Sequence, residues 1–279
     1  MSTSSIVSKV WSFCNPLRDV GVGYGDYLEQ LTYLLFLKMA DEYTKPPHSR
    51  NMNIPAEYNW DSLTSRKGGE LELHYATLLR ELSTQKGILG QIFTKSQNKI
   101  QDPAMLAKII DMIDKEQWLV MGADVKGDIY ERLLILDAEE NKKLTGQVFL
   151  PQPLMKTMVE CLNIEPNKTV ADPYCGTGRL FIAAYNEIIK KQLDRDSLKF
   201  LKFQTFKGWE VSSELNRLGL MNCVLNHISD FFSEQFIQRQ DPLSSPPSET
   251  FDYVICGPPF GKKSSQTFTN AEGEQEKMI

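Results

Sequence analysis

The sequence predicts a helical bundle over residues 1–138, followed by an α/β domain on a parallel sheet over residues 139–279. Three observations predict it. Apolar residues recur at helical spacing through the first half, and no strand pattern appears before residue 145. From Gly146 onward, short apolar runs alternate with helical stretches, as βαβ units do. Two of the runs end in segments that stop both strand and helix, Asp172-Pro-Tyr-Cys-Gly-Thr-Gly-Arg and Gly257-Pro-Pro-Phe.

In the first half, Ile6–Phe13 and Tyr27–Tyr43 carry the helical period. Leu31–Ala40 is apolar nearly all round, which marks a central buried helix. Lys45–Trp60 reads as a long polar loop with an embedded tryptophan. Helices follow at Glu70–Leu82, Pro103–Asp114 and Gly127–Leu136, with Asp102 as a cap and Pro103 in the first turn. In the second half, Pro151–Leu162, Arg179–Gln192 and Ser212–His227 read as helices. Thr169–Ala171, Phe203–Trp209 and Phe251–Cys256 read as strands, with Val254 and Ile255 buried. Arg239–Thr250 is a Pro/Ser-rich loop, and the polar tail after Gly261 is expected to be disordered, without a further strand.

Hydrophobic content of 41% and charged content of 24% are those of an ordinary globular protein. The net charge of −5 gives little grip on a polyanion, so a nucleic-acid partner would need cations supplied by another chain or segment. The five cysteines form no C-x-x-C pair, and the three histidines are scattered, so no metal site is expected. The cysteines read as reduced thiols. With no signal-peptide pattern and no apolar run of membrane-spanning length, a cytoplasmic location is expected and no membrane partner.

The loop Asp172–Arg179 follows a strand and opens a helix. Gly176 and Gly178 allow a tight turn whose amides, with Thr177, face a crevice where a ligand carboxylate meets a helix N-terminus. Asp172 can accept from an ammonium in the same crevice. That pairing suits S-adenosylmethionine better than a pyrophosphate, and the spacing is not that of a dinucleotide loop. Glu210 ends the next strand, where an acid can hold both ribose hydroxyls. Asp241 would reach the adenine amine of the cofactor, and Gly146–Pro151, which carries Phe149 and precedes a helix, would lie over the cofactor. Each has a plainer reading as well: a glycine turn, a helix-capping carboxylate, an Asp-Pro turn and a core aromatic.

These segments occur in one order, each in matching strand context, and the chain resembles the modification (M) subunit of type I restriction–modification systems. The likeness runs over essentially the whole chain. Gly127-Asp-Ile-Tyr-Glu-Arg-Leu-Leu resembles the family's segment before the catalytic domain, and Gly146–Pro151 its Gly-Gln-aromatic-Phe-Thr-Pro element, with Leu150 for Thr. Asp172–Arg179 resembles its Asp-Pro-x-Cys-Gly-Ser/Thr-Gly-Gly, with Arg179 for Gly. Met221-Asn222 is similar too. The resemblance implies a Rossmann-like S-adenosylmethionine-dependent methyltransferase domain that methylates N6 of an adenine swung out of double-stranded DNA. It implies Asp172, Gly176, Thr177 and Gly178 at the methionine end of the cofactor, Glu210 at its ribose and Asp241 at its adenine. Gly257, Pro258, Pro259 and Phe260 fall on the catalytic Asn-Pro-Pro-Phe loop, and Pro258 and Phe260 would face the target base. It implies as partners DNA, a second M subunit, a specificity (S) subunit that reads the sequence, and optionally a nuclease (R) subunit.

Two departures modify those expectations. Gly257 stands where the family has Asn, which removes a side-chain acceptor for the target amine and lowers the rate on the order of a hundredfold. The family's sheet has further strands beyond the Pro-Pro-Phe loop, so the domain is expected to be C-terminally incomplete, with an uncovered edge at its last strand. The chain by itself is therefore expected to be inactive. Two other functions fit the same residues: a non-catalytic module that docks an S-type partner, and a protein-glutamine methyltransferase, whose loop is similar. The long helical domain and Phe260, rather than Tyr, favour DNA.

Overall fold

The computed structural model describes residues 12, 24–119, 150–243 and 248–258, together with short strands at 266–269 and 275–278. The expected boundary at 138/139, the helices over Ile6–Phe13 and Gly127–Leu136, and the elements through Phe149 lie outside the described residues.

Helix α1 (Tyr24–Thr44) is the central helix that its apolar run predicts. Tyr33, Leu34, Leu35, Phe36, Leu37, Met39 and Ala40 are all fully buried. A helix buried on every side needs packing partners all round. These are α2 (Trp60–Thr64), α5 (Pro103–Asp114) and, from the second half, α9 (Ser213–Leu225). Its polar groups are paired, as burial requires. Lys38 Nζ donates to Asp114 Oδ1 at 2.7 Å, and the same oxygen accepts from Trp60 Nε1 at 2.7 Å. The loop tryptophan is thus a buried anchor that opens α2, capped by Asn59, whose side chain accepts from Ser62 N–H at 2.9 Å. Helices α3 (Gly68–Ser83) and α4 (Gly87–Ile92) complete this half. Asp102 caps α5 as expected, accepting from Ala104 N–H at 2.8 Å.

The second half opens with α6 (Gln152–Leu162) and alternates β1 (Val170–Asp172), α7 (Arg179–Ile188), α8 (Arg195–Phe203), β2 (Phe206–Trp209), α9, β3 (Ile237–Gln238) and β4 (Tyr253–Val254). The sheet is parallel throughout, in the order β3-β2-β1-β4. From β1 the chain steps outward on one side to β2 and β3, then returns to the other side as β4. The order therefore reverses at β1, and the crevice beyond the carboxyl ends of β1 and β4 is the topological switch point, where ligands gather in such sheets. At the opposite, amino ends of the two strands Asp252 fastens β4: its carboxylate accepts from Thr169 N–H at 2.8 Å and from Lys168 Nζ at 3.0 Å.

The two halves share one core. Tyr43 of α1 donates to the Leu225 carbonyl of α9 at 2.7 Å, Phe36 meets Phe231 edge-on, and Arg217 pairs with Glu29.

Four expectations are corrected. Phe203 ends α8 and does not begin a strand; Asp194 caps that helix by accepting from Ser197 N–H at 2.8 Å. Strand β3 is an additional sheet member, only two residues long, placed by Gly208 N–H donating to the Phe236 carbonyl. Val254 is 61% exposed, because β4 is the sheet edge among the described residues and only Ile255 turns inward. The tail carries β5 (Gln266–Thr269) and β6 (Gln275–Met278), an antiparallel pair where disorder was expected.

Candidate active site

Strand β1 ends at Asp172, which is buried, and its Oδ1 accepts from Tyr174 N–H at 2.9 Å. The chain then turns sharply through Gly176 (φ +52°) and Gly178 (φ +75°) into α7. The turn is held by Cys175 N–H to the Trp209 carbonyl at 3.0 Å and by Gly178 N–H to the Cys175 carbonyl at 2.8 Å. Thr177 is buried, and its carbonyl accepts from Asn222 Nδ2 at 3.0 Å. A Cβ on Gly219 would lie 2.7 Å from the Gly176 carbonyl, so α9 passes hard against the loop. Over Gly176 itself an added Cβ meets nothing within 4 Å, which leaves the loop open on that side.

Glu210, at the end of β2, bridges the loop to the next helix. One oxygen accepts from Gly176 N–H at 3.1 Å and the other from Ser212 N–H at 2.7 Å. Each oxygen keeps a lone pair for a further donor. Glu210 therefore does cap the helix approach, and it does so within the crevice.

The electrostatics are acidic. Burial pushes the Asp172 carboxyl up to about 7, against the Tyr174 N–H hydrogen bond and with Glu210 adding to the rise. Burial also raises Glu210. Since an acid with a raised folded-state pKa favours folding when protonated, its stabilisation is present below the usual carboxylate value and is lost as pH climbs through about 7. Melting temperature without ligand should thus fall between about pH 4 and about pH 7 from this source. Asp172→Asn should flatten that part of the profile, and an unchanged profile would contradict the assignment.

The expected partners meet this crevice from β4. Ile255 N–H donates to the Ala171 carbonyl at 2.9 Å, setting Cys256 beyond Asp172, whose charge raises the Cys256 thiol after burial does. Tyr174 is raised by burial, then by Asp241 and Cys256, so those two groups flank it. Asp241 also accepts from Leu243 N–H at 3.0 Å, the Asp-Pro turn that its sequence allows. Gly257 follows, with Leu150 against it. Asp172, Gly176, Thr177, Gly178, Glu210, Asp241, Gly257 and Pro258 are all among the described residues; Phe149, Pro259 and Phe260 are not. Sequence reasoning missed Tyr174 and the loop-holding role of Asn222, although Asn222 already belonged to a similar pair. A groove of about 280 Å³ between α6 and α7 borders the loop through Arg179 and Asn222, but Asp172, Glu210 and Asp241 do not line it. Among the described residues no cluster of His, Cys, Asp or Glu is placed to hold a metal, and no helix is long and apolar enough to cross a membrane.

Comparisons with known proteins agree with the fold. Residues 6–113 match the HsdM N-terminal domain, and residues 121–277 match N-6 DNA Methylase. The StySPI type I methylase subunit of Salmonella potsdam is 33% identical over 96% of this chain and 53% of that protein. The EcoKI subunit of Escherichia coli K12 is 32% identical over the same shares. The chain thus spans about half the length of the curated relatives it matches. Among solved structures, a modification subunit assigned to a type I restriction enzyme of Vibrio vulnificus YJ016 superposes with TM-score 0.76 at 21% identity, over 94% of this chain and 61% of that one. The type I methyltransferase subunit of Streptococcus thermophilus gives 0.67 at 18% identity, over 94% and 64%, so both are likenesses of fold. With more than half of its residues matched by that one model, behind a helical domain of the HsdM type, the chain belongs to the N-6 DNA methylase family.

Proposed function

We propose that this chain forms the cofactor-holding part of a type I modification subunit, which transfers a methyl group from S-adenosylmethionine to adenine N6 in double-stranded DNA. The observation that carries this reading is the meeting of the Asp172 loop and the Gly257-Pro258 segment at one switch point, across the paired strands β1 and β4.

The residues fit the cofactor. Asp172 is a buried carboxylate whose charge burial disfavours, which suits pairing with an ammonium, and the space over Gly176 gives a ligand room to approach. Glu210 has acceptor capacity left for ribose hydroxyls, and Asp241 beside Tyr174 suits an adenine amine. When bound, S-adenosylmethionine supplies an electrophilic methyl on a sulfonium. The Pro258 carbonyl is the acceptor left for the target amine, because Gly257 carries no amide. By the family likeness, Phe260 stacks on the extruded base, Pro259 stiffens the loop and Phe149 covers the cofactor. Partners in this reading are a specificity subunit, a second modification subunit and, in the restricting assembly, a nuclease subunit. A net charge of −5 fits this reading, since the main grip on phosphates then falls to another chain or segment.

The missing acceptor also favours a second reading, an assembly module that binds cofactor but transfers slowly. Thermal melting tests what the two share. S-adenosylmethionine at a hundred times its Kd should raise the melting temperature by about 5–10 °C; no rise at any concentration would overturn both.

A further inference from the structure

We propose that Leu150 and Gly257 form a coupled steric pair, in which the leucine occupies the volume that any side chain at 257 would need. The proposal rests on the methyltransferase reading only for its catalytic consequence. A Cβ built on Gly257 lies 2.6 Å from Leu150 Cδ1, 2.9 Å from Cγ and 3.4 Å from Cδ2, so its three nearest neighbours all belong to one residue. Comfortable carbon contacts are about 3.5–4.0 Å, so the two groups cannot share this space. Neither backbone yields easily. Leu150 precedes Pro151, which caps α6, and Gly257 precedes Pro258; each is a pre-proline position with restricted dihedrals. Leu150 is itself partly buried against the core, which limits where its side chain can swing.

By the family likeness, both are positions at which this chain departs from the pattern, Leu for Thr at 150 and Gly for Asn at 257. Bulk has moved across the contact from one residue to the other. The corner that would hold the target amine is therefore walled by hydrocarbon, and an amide restored at 257 alone would be pressed against it without a partner. Thr at 150 gives the room back and supplies a hydroxyl. Leu150 is in this sense a positioning residue for the loop, acting through Gly257.

A double-mutant cycle tests the pair without needing activity. Gly257→Ala should lower the melting temperature of the chain by about 3–8 °C. In a Leu150→Ala background the same change should cost about 1 °C or less, because the obstruction is gone. Equal costs in both backgrounds would overturn the proposal. Should Gly257→Ala not fold, recovery of folded protein on adding Leu150→Ala supports the pair, and no recovery overturns it. A catalytic arm uses the assembled complex with its specificity subunit: Leu150→Thr with Gly257→Asn should raise methyl transfer to DNA adenine at least about thirtyfold over Gly257→Asn alone. Thermal coupling without any gain in transfer would leave the pair standing and count against the methyltransferase reading instead.

Discussion

Asp172→Asn is expected to weaken S-adenosylmethionine binding about a hundredfold while making the ligand-free chain more stable at alkaline pH. The two effects have one cause. Asp172 is buried, and its carboxyl is raised to about 7, so ionisation at pH 8 costs the empty fold free energy. Asn retains the Oδ1 acceptor for the Tyr174 N–H, so the local turn survives while the charge disappears. A ligand ammonium then loses its charge-assisted partner, worth about 1.5–3 kcal/mol. Calorimetric titration paired with thermal melting at about pH 8 checks both signs. A variant that lost affinity and stability together would mark Asp172 as a structural residue and remove it from the ligand site.

Gly178→Ala is expected to cost about 2–4 kcal/mol, lowering the melting temperature by several degrees and abolishing the ligand-induced rise. Two penalties combine. The residue sits at φ +75°, where a side chain is strained, and its Cβ would lie 2.6 Å from Cys223 Sγ in the wall of α9. Gly68→Ala separates them, since that glycine has φ +58° but nothing within 4 Å of an added Cβ. Gly68→Ala should show the strain alone, about 1 kcal/mol. Adding Cys223→Ala to Gly178→Ala should recover part of the steric share but not the strain. Equal melting temperatures for the Gly68 and Gly178 variants would refute the close approach of loop and helix.

Much of this site was legible in the sequence because its signals are backbone signals. Gly176 and Gly178 behind Asp172, and two prolines behind an apolar run, restrict dihedrals whatever surrounds them, so their strand-end positions could be read directly. Helix α1 was equally plain, since few arrangements bury Leu31–Ala40 on every side except a bundle centre. What escaped depends on neighbours distant in the chain. Strand β3 is two residues long and exists through its pairing with Gly208 and Trp209, not through any alternation of its own. Helix α8 is amphipathic, but it is only nine residues long, begins at an Asp194 cap in a polar stretch and buries one side chain, Leu201, so its apolar end could be read as the start of the strand that follows. The exposure of Val254 follows from β4 lying at the sheet edge, a fact of topology that an apolar run does not record. Likewise, Leu150 and Gly257 each read as an isolated departure. Their contact spans more than a hundred residues of sequence, and only the fold brings them together.

A crystal structure of the chain with S-adenosylmethionine bound tests the central claim most directly. The cofactor should lie in the crevice beyond β1 and β4, its ammonium within hydrogen-bond reach of Asp172, its ribose at Glu210 and its sulfonium turned toward Pro258. Density for the ligand in the groove between α6 and α7, or at the far edge of the sheet beside β3, would contradict the account.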